Sequence, residues 1–182
     1  MKLVFLLEEK SMEYALVNLL PKLLPEEINY QLVSHSGKSD LKNSISVKLR
    51  GWNEPDVKFV ILHDKDSNDC VELKKELVDR TILGGRNDSL VRIVCTELES
   101  WFLGDLNAVE SAYNINLSNI KYKSTYRNPD KISNAKQILS KIIKSDYQTG
   151  IGAKTISKHM DIESNSSYSF NVFISGVRKM IT

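Results

Sequence analysis

Two cysteines and three histidines are all that 182 residues offer to a soft-metal site, and they do not cluster. Cys70 and Cys95 lie inside or beside apolar runs, so they read as reduced, packed thiols and not as a disulfide framework or a zinc site. No stretch approaches the roughly 18 consecutive apolar residues of a membrane span. The opening MKLVFLLEEK reaches two glutamates too early for a secretory leader, so a cytoplasmic protein with no membrane contact is expected. Internal repeats are missing, and the only biased run is the serine-rich SNSSYS at 164–169. A Walker-type glycine-rich loop is missing too, so any ATP dependence has to come from a partner. What remains, 41% hydrophobic and 26% charged, suits one well-cored globular domain with a small extension.

Charge divides that chain unevenly. Residues 1–120 carry 14 Lys and Arg against 19 Asp and Glu, whereas residues 121–182 carry 11 against 4. A net −5 is followed by a net +7. The expected organisation is an α/β domain over 1–120 and a basic helical extension over 121–182, packed on it as one structural unit.

The runs LVFLL (3–7), VKFVIL (57–62) and LVRIVC (90–95) are short, β-branched-rich and nearly continuous, as strands buried on both faces are. INYQLVS (28–34) is more polar and reads as an edge strand. Between them the period turns helical: Met12, Leu16, Leu19, Leu20 and Leu23, with Ser11 as a candidate N-cap, then Asp40 to Leu49, then Val71 to Ile82 ending at Gly84-Gly85. The order β-α-β-α-β-α-β predicts a four-stranded, mainly parallel sheet with flanking helices. In the tail a helix is expected from Asn128-Pro129-Asp130 to Lys144. Two more are expected over Ala153 to Met160 and Tyr168 to Met180, with Gly150 and Gly152 as punctuation.

Glu8 and Glu9 close the first strand, Asp64 and Asp66 the third, and Glu97 and Glu99 follow the fourth. All six fall at the carboxyl edge, where parallel α/β sheets collect their working groups. Asp64 and Asp66, two apart, point the same way in extended backbone and can share one cation, with Asp69 approaching from the next turn. Mg2+ or Mn2+ suits such a pair, being content with two or so carboxylates plus water and phosphate oxygens. The plain alternative is an acidic turn with Asp69 as the cap of the following helix. Of the adjacent glutamates only one faces the site; Glu8 is taken as the ligand, and Glu9 as a cap or a partner of Lys10 or Lys65. Glu97 and Glu99 are equally well read as first-turn glutamates complementing a helix dipole. Leu98, Trp101 and Phe102 share one helix face as core. His63 sits on the opposite strand face from Asp64 and is a weak candidate base. His35 and His159 read as surface residues. Lys38, in the HSGKSD turn, resembles half of a phosphate loop and offers a cation at the edge. Basic tail residues Lys131, Lys136, Lys141 and Lys144 either solvate a helix or face a phosphate backbone.

EEKSME (8–13), GKSDL (37–41), HDKDSNDC (63–70), VRIVCTELESWFLGD (91–105), NPDK (128–131) and YSFNVFISGVRKM (168–180) together resemble a family of Toprim-related proteins. These are the compact Toprim-like subunits encoded beside AAA or ABC-type ATPases in bacterial anti-phage and abortive-infection systems. The resemblance implies a Toprim-like fold and Mg2+-dependent phosphodiester hydrolysis of nucleic acid. It also implies a partner ATPase, and leaves homo-oligomerisation open. The family's glutamate falls on Glu8 and its DxD on Asp64 and Asp66, which makes these three the implied catalytic and metal-binding residues. Asp69 and Glu97 are further metal ligands, and Glu9, Lys38 and Glu99 are supporting residues. Lys131, Lys154, Lys158 and Arg178 are expected to hold the nucleic acid. Glu9 stands where a glycine usually follows the family's glutamate. Two rivals remain: a non-catalytic binding or regulatory subunit of an ATPase complex, and a receiver-type phosphoacceptor using Glu8, Glu9, Asp64 and Thr96. The receiver needs a fifth strand, for which residues 106–127 show no apolar run.

Overall fold

A computed structural model describes residues 1–182. Strands β1 (Lys2–Leu7), β2 (Asn29–Ser34), β3 (Val57–Asp64) and β4 (Leu90–Val94) form one parallel sheet in the order β2-β1-β3-β4. Three crossover helices join them: α1 (Lys10–Leu23), α2 (Lys38–Gly51) and α3 (Cys70–Leu83). The alternation of side chains along a strand divides the apolar residues between two faces. Leu3, Phe5, Leu7, Val60 and Leu62 pack toward α1, while Val4, Leu6, Phe59 and Ile61 pack toward α2 and α3. With β1 and β3 central, the connection from β1 leaves toward β2 and that from β3 toward β4. The order reverses between them, and this is the crevice where such sheets bind ligands.

The remaining chain forms α4 (Glu99–Leu103), α5 (Leu106–Tyr113), 3-10 turns at Ser124–Arg127 and Pro129–Lys131, α6 (Ala135–Ile143), α7 (Thr149–Ile156) and α8 (Tyr168–Ile181). These join the α1 face, whose core counts 34 buried residues against 12 on the other. Trp101 is fully buried, with its ring centroid 5.1 Å from that of Phe170 and 5.2 Å from that of Phe173, and Nε1 donates to Ser169 Oγ at 3.0 Å. Truncating such a residue costs about 3–5 kcal/mol. Leu98, Trp101 and Phe102 are core, as their spacing predicts.

Several boundaries differ from expectation, each for a local reason. The helix expected from Asn128 to Lys144 is broken. Asp130 accepts from Ser167 Oγ at 2.6 Å and Ser169 N at 2.7 Å, and Thr96 Oγ1 donates to the Asp130 and Ile132 carbonyls. Those bonds hold the chain out of helical geometry until Ala135. Helix α7 runs through Gly150 and Gly152 instead of starting after them, because a Cβ on Gly152 would lie 2.0 Å from the Tyr147 ring. Close packing, not a chain break, is what that glycine serves. Ser11 is not the cap of α1; Glu9 holds that position and Ser11 Oγ donates to its carboxylate. Residues 106–127 hold α5 and a 3-10 turn, so the receiver's fifth strand is absent.

Candidate functional site

Pairing of Leu7 with Leu62 across β1 and β3 makes the next residues, Glu8 and His63, neighbours on one face at the crevice. Glu8 Oε2 lies 2.9 Å from His63 Nδ1 and accepts from Asp64 N at 2.9 Å. Nδ1 is also 2.6 Å from the Asp64 carbonyl oxygen. Both neighbours are acceptors, so Nδ1 carries the proton, and the buried Nε2 has no partner. Burial alone would raise the Glu8 pKa, but the His63 ring, the Asp64 N–H and the Lys38 charge outweigh it and hold the carboxyl below its ordinary value. His63 is indeed on the opposite face from Asp64. That is the face of Glu8, which only the strand register reveals.

Asp64 is 7% exposed and its Oδ1 has no hydrogen-bond partner. Burial first, then the charges of Glu8, Glu99, Glu9 and Asp66, push its pKa well above the ordinary range. Glu99, at the start of α4, is also buried, and burial, with Glu97 and Glu9 adding repulsion, raises it to about 7. Its Oε1 makes no well-formed hydrogen bond but has the Tyr147 hydroxyl beside it, which burial and then Glu99 push upward. Tyr147 had no signal in the sequence beyond Gly152 five residues later. Carboxyls with pKa values pushed in opposite directions within one crevice are a mark of acid–base or metal chemistry.

The remaining carboxylates are less available. Asp66 sits in a left-handed turn (φ 50°), so it does not run parallel to Asp64 along extended backbone, and its Oδ2 lies 3.4 Å from Lys38 Nζ. Asp69 caps α3, accepting from Val71 N at 2.9 Å and Glu72 N at 3.0 Å. Glu97 accepts from Lys136 N at 3.0 Å in the first turn of α6. Glu9 bonds Ser11, not Lys10 or Lys65. Asp69 thus takes the capping arrangement, whereas Glu97 precedes α4 and bonds the first turn of α6 instead of complementing its own helix. No three His, Cys, Asp or Glu side chains converge as a ligand set. The group that fits a divalent cation by its chemistry is Asp64, a buried carboxyl with a bare oxygen among four acidic neighbours.

Residues 7–178 match the family described as Domain of unknown function (DUF4276). The chain belongs to this family. Every candidate residue falls inside the match. The C-terminal region of the Burkholderia pseudomallei OLD protein is similar in structure, with a TM-score of 0.54 over 99% of this chain and 98% of that one at 15% identity. The likeness concerns the fold, and it agrees with the Toprim-like α/β arrangement expected. No curated protein matches the chain. No helix of this DUF4276 member is long and apolar enough to cross a membrane.

The expected phosphate-holding cations do not assemble. Helix α7 follows α1 away from the crevice: Asn18 Nδ2 donates to the Lys154 carbonyl at 3.2 Å, and Lys22 Nζ to that of Lys158 at 2.8 Å. At 1.5 Å per residue these levels are roughly 12 and 18 Å from the start of α1. Helix α8 also begins at the carboxyl edge, where Cys95 N donates to Ser169 Oγ, and Arg178 lies near its far end, paired with Glu163. Lys131 stays at the edge beside the bonds from Thr96, and Lys38 is there as expected. His35 is half-buried, with Nδ1 2.8 Å from the Leu7 carbonyl and Nε2 2.7 Å from Ser44 Oγ; it braces the loop after β2 and is not a free surface residue. His159 is exposed.

Proposed function

We propose that this chain is a Mg2+- or Mn2+-dependent nuclease that hydrolyses phosphodiester bonds at the crevice between β1 and β3. The observation that carries this reading is Asp64: a carboxyl buried at a switch point, one oxygen bare, and forced toward its proton by its acidic neighbours. A divalent cation removes that conflict. Glu8, Asp64 and Asp66 would hold it, Asp66 by leaving Lys38; once bound, such an ion supplies an activated water and neutralises the charge on the departing oxygen. His63 keeps Glu8 ionised and oriented. Lys38 is placed to meet a phosphate oxygen, and Glu99, poised near neutral pH, to accept a proton at Oε1.

Calorimetric titration of Mg2+ and Mn2+ into wild type and Asp64→Asn, with plasmid and RNA nicking on the same samples, tests this. Loss of both binding and nicking is the expected result, and a variant as active as wild type would falsify it. One observation favours a second reading, a non-catalytic subunit whose metal-stabilised edge docks on an ATPase: no three donors converge in the chain alone. Metal binding that stays without nicking, even with the partner present, supports that alternative. The setting beside an AAA or ABC-type ATPase in an anti-phage system rests on the sequence resemblance.

A further inference from the structure

The stretch KYKSTYRNPDK (121–131) holds four cations, one carboxylate and two tyrosines. It borders an open groove of about 510 Å3, whose lining includes Gly104, Asn107, Tyr122, Tyr126, Arg127 and Ser166. The groove's opposite walls are fixed. Ser166 N and Oγ both donate to the Gly104 carbonyl, and Asn165 Nδ2 donates to the Trp101 carbonyl at 2.9 Å. A Cβ on Gly104 would lie 2.1 Å from Asn165 Oδ1, so only glycine allows that approach.

The acids around the groove are already satisfied. Both Asp105 oxygens accept backbone N–H groups, from Ala108 at 3.0 Å and Asp161 at 3.0 Å. Glu163 is paired with Arg178, Glu110 with Lys121, and Asp130 turns inward to Ser167 and Ser169. Lys123, Arg127 and Lys131 are exposed and have no carboxylate partner. These three are the cations on this rim left free to meet a phosphate. On the same rim Tyr122 is 84% exposed, so its ring is open to a stacking partner.

We infer that this groove binds single-stranded nucleic acid, with Tyr122 and Tyr126 stacking on unpaired bases and Lys123, Arg127 and Lys131 holding the backbone. Rings beside cations are the recognition chemistry of a single strand, whose bases have free faces, whereas a duplex keeps its bases stacked. Two chain segments run from the groove to the crevice. Helix α4 spans five residues from Glu99 to Leu103, about 7 Å, and Gly104 follows it. On the other side Arg127 leads to Lys131, which the Thr96 bonds hold beside the end of β4. The inference rests on the nuclease reading only for where the strand is led, and so deepens it by naming the substrate class.

Fluorescence anisotropy tests it with the full chain in EDTA, using dye-labelled oligothymidylate and oligouridylate against a duplex of equal length. Tyr122→Ala and Arg127→Ala are each expected to weaken single-strand binding about tenfold. Tyr122→Phe should bind as wild type. Arg127→Ala should also flatten the log K against log salt slope by about 0.7. Lys158→Ala, away from the path, should change nothing. Failure of the wild type to bind single strands, equal or tighter binding of duplex, or a Tyr122→Ala protein that binds normally would each overturn the inference. Circular dichroism checks that these surface variants fold. If Tyr122→Ala binds normally while Asp64→Asn loses nicking, the groove is wrong and the nuclease reading stands. If groove variants lose binding while Asp64→Asn still nicks, the reverse holds.

Discussion

Two pairs of acids lie around α4, and they are treated in opposite ways. Asp105, 6% exposed, has both oxygens bonded to backbone N–H groups, and Asp130 is likewise held by Ser167 and Ser169. Asp64 and Glu99 are as deeply buried, yet Asp64 keeps an oxygen without a partner, Glu99 Oε1 has only the Tyr147 hydroxyl near it, and both are pushed toward protonation. A folded chain satisfies its buried polar groups wherever stability is the only demand. The proposed metal site rests on that contrast.

The sharpest way to break this comparison is to remove one acid from each set. Asp64→Asn should lower metal-dependent nicking by at least about a hundredfold while leaving the melting temperature within a few degrees, since it removes repulsion along with the charge. Retained nicking would dissolve the distinction.

Next in size is a pH effect. Native Glu99 keeps its proton up to about 7 where an unfolded glutamate loses it near 4.5, so stability falls as pH rises through that window. Glu99→Gln should therefore stabilise the apo-protein by roughly 2–3 kcal/mol at pH 8 and by little at pH 4, measured by urea denaturation. A pH-independent effect would remove Glu99 from the unsatisfied set.

On the satisfied side, Asp105→Ala should cost about 2 kcal/mol, through loss of the α5 cap and of the bond from Asp161. Nicking per folded molecule should stay unchanged. Lys38→Ala comes lower: the exposed pair with Asp66 contributes less than about 1 kcal/mol to stability. Nicking is the better readout there, with a several-fold loss expected. Arg178→Ala is the smallest, within about 0.5 kcal/mol and without effect on nicking, because its bond to Glu163 is a surface pair.

Much of the fold was legible because its signals are local. Continuous apolar runs of five to six residues, rich in β-branched side chains, read as strands buried on both faces, and three intervening helical periods favour parallel crossovers. The placement of Glu8 and Asp64 at the carboxyl edge followed from position at strand ends. What the sequence left hidden was of another kind. Asp69 and Glu97 are acidic at the right edge, but helix N-termini compete for such side chains, and the end of α6 that takes Glu97 comes from 39 residues further on. Lys158 and Arg178 belong to a basic tail, but helices running antiparallel to the strands carry their far ends away from the crevice. His63 and Tyr147 were passed over, since their neighbours at the site are not their neighbours in sequence.

The sequence by itself determined the α/β class, the four strands and the row of acids at their carboxyl ends, because alternation, period and strand ends are properties of contiguous residues. Only the tertiary structure decided which acids share a crevice, which of them cap helices, and that Glu8 stands beside His63. Register and helix direction are set by packing across the sheet, and a change of one residue in register would place every side chain on the other face.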